Sequence, residues 1–74
     1  MAGKVPKTRV QLDMTAPQVE RLEHLKARLE ETSYAGVVRK ALNVLGVIDE
    51  EQSAGGHIYV ERPDGSRTRL VFVL

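Results

Sequence analysis

Polar and apolar residues alternate strictly near the start of the chain. The apolar positions are Val10, Leu12 and Met14, and the polar positions are Arg9, Gln11 and Asp13. Because side chains of a β-strand point alternately to opposite faces, this period of two predicts a short strand that is buried on one side. No second strand follows directly, so the backbone of this segment must pair with a strand from elsewhere.

The next residues signal the start of a helix. Thr15 and Gln18 have the spacing of a capping box, and Pro17 falls in the first turn, where its missing N–H costs no intrahelical bond. The helix is expected to end near Glu31. Its apolar stripe recurs at helical spacing, at Val19, Leu22, Leu25 and Leu29.

A second helix is predicted after Ser33, which is a favourable N-cap residue. Its apolar residues cover far more than one face: Val37, Val38, Ala41, Leu42, Val44, Leu45 and Ile48. A helix that is apolar nearly all round must be buried on several sides, and one short preceding helix cannot cover it. The pattern therefore predicts an intertwined homodimer whose second helices pack against each other.

Residues 49–56 lose this periodicity and are expected to form a frayed helix end and a linker, with the linker at residues 50–56 and including Gly55 and Gly56. Residues 57–74 then have the pattern of a β-hairpin around Pro63, Asp64 and Gly65. A two-residue loop would mix apolar and polar side chains on each face. A three-residue loop with a left-handed Gly65 separates them, so we favour that register.

In the favoured register, Ile58 pairs with Leu70 and Val60 with Thr68, while Tyr59 faces Arg69 and Glu61 faces Arg67. One face of the hairpin is then apolar and consists of Ile58, Val60, Leu70, Phe72 and Leu74. An isolated two-stranded hairpin is marginally stable in water, so this face needs cover. The tail is expected either to dock on the body of the protein or to stay disordered until a partner binds it.

Length and composition narrow the class of protein. The chain has 74 residues, enough for one small domain, and it has no cysteine, which excludes disulfides and thiolate metal sites. No apolar run reaches the roughly 18–20 residues of a membrane span. The basic start of the chain lacks the apolar core of a signal peptide, so a cytoplasmic protein without a membrane partner is expected.

The charges are unevenly distributed. Residues 1–12 contain Lys4, Lys7 and Arg9 but no acidic residue. We therefore expect residues 1–6 to form a flexible basic arm that can bind a polyanion.

Candidate catalytic chemistry is missing from the sequence. His24 and His57 lie on different predicted elements, and no cysteine or suitably spaced carboxylate joins them. Ser33 and Ser53 have no nearby base that could activate a hydroxyl. We expect no enzymatic activity, no metal and no cofactor.

The order strand, helix, helix over residues 7–49 resembles the ribbon-helix-helix family of DNA-binding proteins. The resemblance is carried by Arg9–Met14 as the ribbon, by the spacing of Val19, Leu22 and Leu25, and by the segment from Ser33 to Leu42. It covers about half of the chain. The implied fold is mainly α-helical with a short β-ribbon, formed by an intertwined homodimer and followed here by the additional C-terminal tail.

The resemblance implies that two ribbons pair antiparallel and enter the major groove of double-stranded DNA. The base-reading residues would be Arg9, Gln11 and Asp13. Asp13 could accept a hydrogen bond from cytosine, or it could instead hold Arg9 in place. The implied dimer core consists of Val10, Leu12, Met14, Leu22, Leu25, Val37, Val38, Ala41, Leu42 and Leu45.

The family also binds a DNA phosphate at the start of its second helix. The implied phosphate contacts are Lys4, Lys7, Ser33, Tyr34, Ala35 and Gly36. Gly36 could instead relieve packing between the two helices.

The function implied is sequence-specific DNA binding by a bacterial transcriptional repressor that acts as a homodimer, with higher-order assembly on DNA also open. An antitoxin-type module, whose C-terminal tail binds a partner protein, is the alternative. A plasmid-partition or relaxosome accessory protein would use the same DNA-binding chemistry.

Overall fold

A computed structural model describes residues 6–74, which form two helices and a two-stranded antiparallel sheet. Helix α1 spans Ala16–Arg28 and helix α2 spans Tyr34–Ser53, followed by strands β1, Ile58–Glu61, and β2, Arg67–Leu70. Most of the predicted basic arm, with Lys4, lies outside the described residues.

The predicted start of α1 is confirmed. The Thr15 backbone N–H donates to Gln18 Oε1 at 3.0 Å, and the Gln18 N–H donates back to Thr15 Oγ1 at 3.4 Å. These two bonds form the expected capping box, with Pro17 in the first turn.

Helix α1 ends at Arg28, one turn earlier than predicted. Glu30 takes a left-handed conformation with φ 53°, and the Glu31 N–H donates to the carbonyl of Lys26 at 3.0 Å. This is the hydrogen-bond pattern of a Schellman motif, with glutamate where glycine usually stands. The sequence carries no glycine at this point, so the earlier end was missed.

Helix α2 begins after Ser33 as predicted and continues through Ser53. Residues 50–53, expected as a frayed helix end and linker, form the regular last turn of α2, so the linker is shorter than the predicted 50–56. Gly55 has φ 84°, and the Gly56 N–H donates to the carbonyl of Glu51 at 2.8 Å. The two glycines form the C-terminal cap of the helix, since a left-handed residue at this position closes a Schellman motif.

The predicted hairpin register is confirmed. Ile58 pairs with Leu70, and Glu61 pairs with Arg67 at the loop end. Gly65 has φ 87°, and the Asp64 carboxylate accepts from the Ser66 backbone N–H at 2.9 Å. An aspartate side chain bonded two residues ahead and a left-handed glycine are the local interactions that fix such a turn.

The tail is ordered and docks on the C-terminal half of α2. Ile58, Leu70 and Phe72 are half-buried. Gln52 hydrogen-bonds the backbone of Phe72. The tail was expected either to dock on the body of the protein or to stay disordered, and in the structure it is docked.

Residues 6–15 have no regular secondary structure in the single chain. None of the backbone groups of residues 7–14 makes a hydrogen bond within the described chain. The strand predicted at 9–14 is therefore not formed here, because a strand needs a partner for its ladder and residues 6–74 provide none to this segment.

The apolar core of the single chain is very small. Among the described hydrophobic residues only Val37 is buried. The accessible surface is 7011 Å², whereas a compact monomer of 8.2 kDa would expose about 4,500 Å². The radius of gyration is 16.2 Å, against about 11 Å for a compact chain of this length.

Candidate nucleic-acid interface

The segment preceding α1 lies over a groove between the two helices. Every second residue of the segment lines this groove, which has a volume of about 380 Å³. Leu22, Val38 and Arg39 form part of the opposite wall. The segment contributes four residues to the lining of the groove: Thr8, Val10, Leu12 and Met14.

The three predicted base-reading residues differ in their positions relative to the grooves. Arg9 and Gln11 are exposed and do not line this groove. Asp13 lines an adjoining groove together with Gln18 and Arg21. All three side chains are exposed and thus open to an external ligand, and Asp13 differs in lying beside the first turns of α1.

The start of α2 has a hydroxyl cap. The Gly36 N–H donates to Ser33 Oγ at 3.1 Å, so two of the predicted phosphate contacts already bind each other. The N–H groups of Tyr34 and Ala35 have no acceptor within residues 6–74. They remain the donors that the positive end of the helix offers to an anion.

The side chain of Tyr34 is turned toward α1. Its hydroxyl donates a short hydrogen bond to the Glu23 carboxylate, and the Lys26 ammonium lies 5.2 Å from the centre of its ring. The hydrogen bond to Glu23, followed by the repulsion from its charge and by desolvation, raises the pKa of Tyr34. These contacts tie the first turn of α2 to α1, a role that the sequence did not reveal.

Gly36 makes room for a carboxylate. A methyl group built on Gly36 would lie 2.8 Å from the Cδ atom of Glu31. Glu31 Oε2 is 3.7 Å from Lys40 Nζ, one turn further along α2. The packing role considered for Gly36 is therefore a specific one. The missing side chain lets Glu31 reach Lys40 across the helix surface.

Arg39 was also missed as a candidate for this surface. It is exposed and lines the groove beside Val10 and Ala35. The signal in the sequence is its position four residues after Ala35, which places it on the same face of the helix. It adds a cation next to the free N–H groups at the start of α2.

Most of the predicted dimer core is open to solvent in the single chain. Val37 is only 3% exposed, whereas Val10, Leu12 and Leu42 are 74%, 60% and 61% exposed. Apolar residues of the segment and both helices line one continuous groove of about 490 Å³. Exposed apolar surface of this extent is typical of a face that another chain covers.

The described residues hold no cluster of three or more metal-ligating side chains. Neither helix in residues 6–74 has the length and apolar character needed to span a membrane. Comparisons with protein-family models, curated proteins and solved structures find no match to this chain.

Proposed function

We propose that the protein is a homodimer that binds specific sequences of double-stranded DNA through residues 9–14 of both copies. The dimer would be of the ribbon-helix-helix type and would act as a transcriptional repressor by occupying an operator. The proposed activity is DNA binding without catalysis, and no cofactor takes part in it.

The observation that carries the proposal is the state of the segment from Arg9 to Met14. Its backbone has no hydrogen-bond partner in the described chain, and its alternate apolar side chains face the groove between the helices. Two copies of such a segment can pair antiparallel, which satisfies both backbones and keeps Val10 and Leu12 over the core. The resulting two-stranded ribbon has the width that the major groove accepts.

The exposed surface supports the dimer. The chain exposes roughly 2,500 Å² more than a compact monomer of its mass. Two copies together would have roughly 5,000 Å² to cover, which is at the upper end of the area that obligate homodimers bury. A second copy is the simplest cover for it, because the exposed apolar faces of α1, α2 and the segment adjoin one another.

Arg9 and Gln11 are the residues to which we assign base reading. Arginine can bind guanine O6 and N7 with two hydrogen bonds, and glutamine can bind adenine N6 and N7 in the same way. Asp13 is exposed as well, and we assign it a smaller share of this role because a carboxylate is repelled by the DNA phosphates.

Phosphate binding is assigned to the start of α2 and to nearby cations. The Tyr34 and Ala35 N–H groups are free of acceptors in the described chain, and Arg39 is exposed beside them. Lys7 precedes the ribbon and is also exposed. Contacts of this kind fix the register on DNA without reading its sequence.

The antitoxin-type alternative gains less support. A tail that folds onto its partner would be free in the isolated protein, whereas this hairpin docks on α2 through Gln52 and Phe72. The plasmid-partition alternative uses the same DNA surface and makes the same predictions for it.

The test is selection of bound sequences from a random DNA pool, followed by affinity measurements on the selected site. Gln11→Ala is expected to reduce discrimination between sites by about 1–3 kcal/mol, because one bidentate contact is lost. Lys7→Ala should weaken all sequences about equally and lower the salt slope by about one.

The matched control is Arg28→Ala, which removes a positive charge from the far end of α1. It is expected to leave both affinity and salt slope unchanged. If Gln11→Ala keeps its full base preference, the assignment of the ribbon to the major groove is wrong. Absence of DNA binding by the native protein at low salt would reject the function itself.

A further inference from the structure

Gly46 lies in the middle of the 20-residue helix α2, with open space beside it. A methyl group built on this residue would meet no atom within 4 Å. Glycine inside a helix is less favourable than alanine, and its structural advantage is that it admits a close approach of another backbone or side chain. Within residues 6–74, no backbone or side-chain atom comes close to Gly46 in this way.

The C-terminal segment runs back along the same part of α2. Gln52 holds Phe72 at the end of the helix, and Leu74 reaches a shallow groove beside Gly46. Leu42 and Leu45 complete the apolar part of this groove, and Asp49 stands at its rim. Leu42 and Leu74 are 61% and 66% exposed, so the groove is apolar and uncovered.

We infer that the second copy of the chain crosses α2 at Gly46 and that Leu74 of the C-terminal segment belongs to the dimer interface. This inference rests on the proposed homodimer and extends its interface beyond residues 7–49. The hairpin is then a structural part of the dimer, because it carries Leu74 to the place where the two helices meet.

Continuity with the proposed interface argues for a second copy as the occupant. Leu42 and Leu45 line this groove and also the larger groove beneath the segment that precedes α1. A chain that covers the larger groove therefore meets Gly46 and Leu74 without a gap. The space at Gly46 allows the close helix approach that a leucine or alanine would prevent.

Sedimentation equilibrium over a concentration series of the full chain tests this interface. Gly46→Leu is expected to raise the dimer dissociation constant at least about tenfold, because the added side chain overpacks the crossing. It should do so although leucine forms helices better than glycine. Leu74→Asn should also raise it about tenfold through loss of buried apolar surface.

Two neighbouring substitutions are the controls. Val47→Leu adds bulk at a site that is 60% exposed and lines none of the described grooves, and Val73→Asn adds polarity at a site that is 98% exposed. Both should change the dissociation constant by less than about twofold. Helix content from circular dichroism checks that each variant folds, and Leu74→Asn lies outside every helix and strand.

Native dissociation constants for both Gly46→Leu and Leu74→Asn, in a protein that still dimerises, would overturn this interface alone. The C-terminal segment would then be open to a different protein partner. A native chain that stays monomeric at every concentration would reject both the interface and the proposed homodimer.

Discussion

The side-chain amide of Gln52 forms two hydrogen bonds with the backbone of Phe72. Gln52 Nε2 donates to the Phe72 carbonyl at 2.9 Å, and the Phe72 N–H donates to Gln52 Oε1 at 2.9 Å. The amide thus takes the place of a neighbouring strand beyond the end of β2. One side chain in the last turn of α2 therefore anchors the C-terminal segment to the helix.

Gln52→Ala is expected to release this segment while leaving α2 intact. Each bond contributes about 0.5–1.5 kcal/mol, so the amide exchange of Phe72 should accelerate roughly ten- to hundredfold. Hydrogen exchange followed by NMR measures this directly. Glu50→Ala, an exposed substitution two residues earlier, should leave that exchange rate unchanged. Equal rates in Gln52→Ala and the native protein would show that the docking does not hold in solution.

Local signals explain what the sequence predicted correctly. The capping box of Thr15 and Gln18 and the turn at Asp64 and Gly65 are each set within four residues, so their hydrogen bonds can be read from spacing alone. The hairpin register follows from the turn and from the apolar face that it creates.

The helix ends depend on weaker signals. Glu30 adopts a left-handed conformation for which glutamate has no preference, and Gly55 caps a helix whose last turn has no apolar periodicity. Residues 50–53 are polar and continue the helix, so a prediction based on the apolar stripe indicates only a frayed end and a linker there.

Glu30→Gly is expected to stabilise the protein, because glycine takes the left-handed conformation of the α1 cap without steric cost. The gain should be about 0.5–1 kcal/mol after the extra backbone entropy of glycine is subtracted. Glu20→Gly within α1 is the matched substitution and should instead cost about 1 kcal/mol. Urea denaturation at one fixed protein concentration compares them, since the stability of a dimer depends on concentration. Opposite signs are expected, and a loss from both would contradict the cap.

Contacts between elements could not be predicted from spacing. The expectation for Tyr34 concerned its backbone N–H, and the bond of its hydroxyl to Glu23 on the other helix was not predicted. Glu31 had no predicted role, and its carboxylate lies against Gly36. Both contacts depend on how the loop between the helices turns, and a left-handed glutamate sets that turn.

The bond between Tyr34 and Glu23 predicts a pH dependence. It raises the pKa of Tyr34 above its ordinary value of 10.0, so the native state holds the phenolic proton more tightly than the unfolded state. The stabilisation is complete below the unfolded pKa and is lost as the pH rises through the native pKa. Titration of phenolate absorbance in a Tyr59→Phe background measures the remaining tyrosine. Adding Glu23→Ala should lower its midpoint, and an unchanged midpoint would show that the bond is not formed.

Alanine at position 36 should have two opposite effects on stability. It favours helix α2, but it disturbs the contact of Gly36 with Glu31 in the loop between the helices. Gly36→Ala favours the helix by about 1 kcal/mol. It also displaces the Glu31 carboxylate and its exposed ion pair with Lys40, which is worth about 0–1 kcal/mol. In a Glu31→Ala background only the first effect remains. Stability measurements on both backgrounds should therefore show a larger gain from Gly36→Ala when Glu31 is absent.

The same variants separate the two roles considered for Gly36. Its N–H is already bonded to Ser33, so an added methyl group should not remove a phosphate donor. We expect Glu31→Ala and the double variant Glu31→Ala/Gly36→Ala to bind the selected DNA with affinities that agree within about twofold, as for substitutions outside a contact. A much weaker double variant would mean that the phosphate approaches over Gly36 itself. The glycine would then serve DNA binding as well as the passage of Glu31 to Lys40.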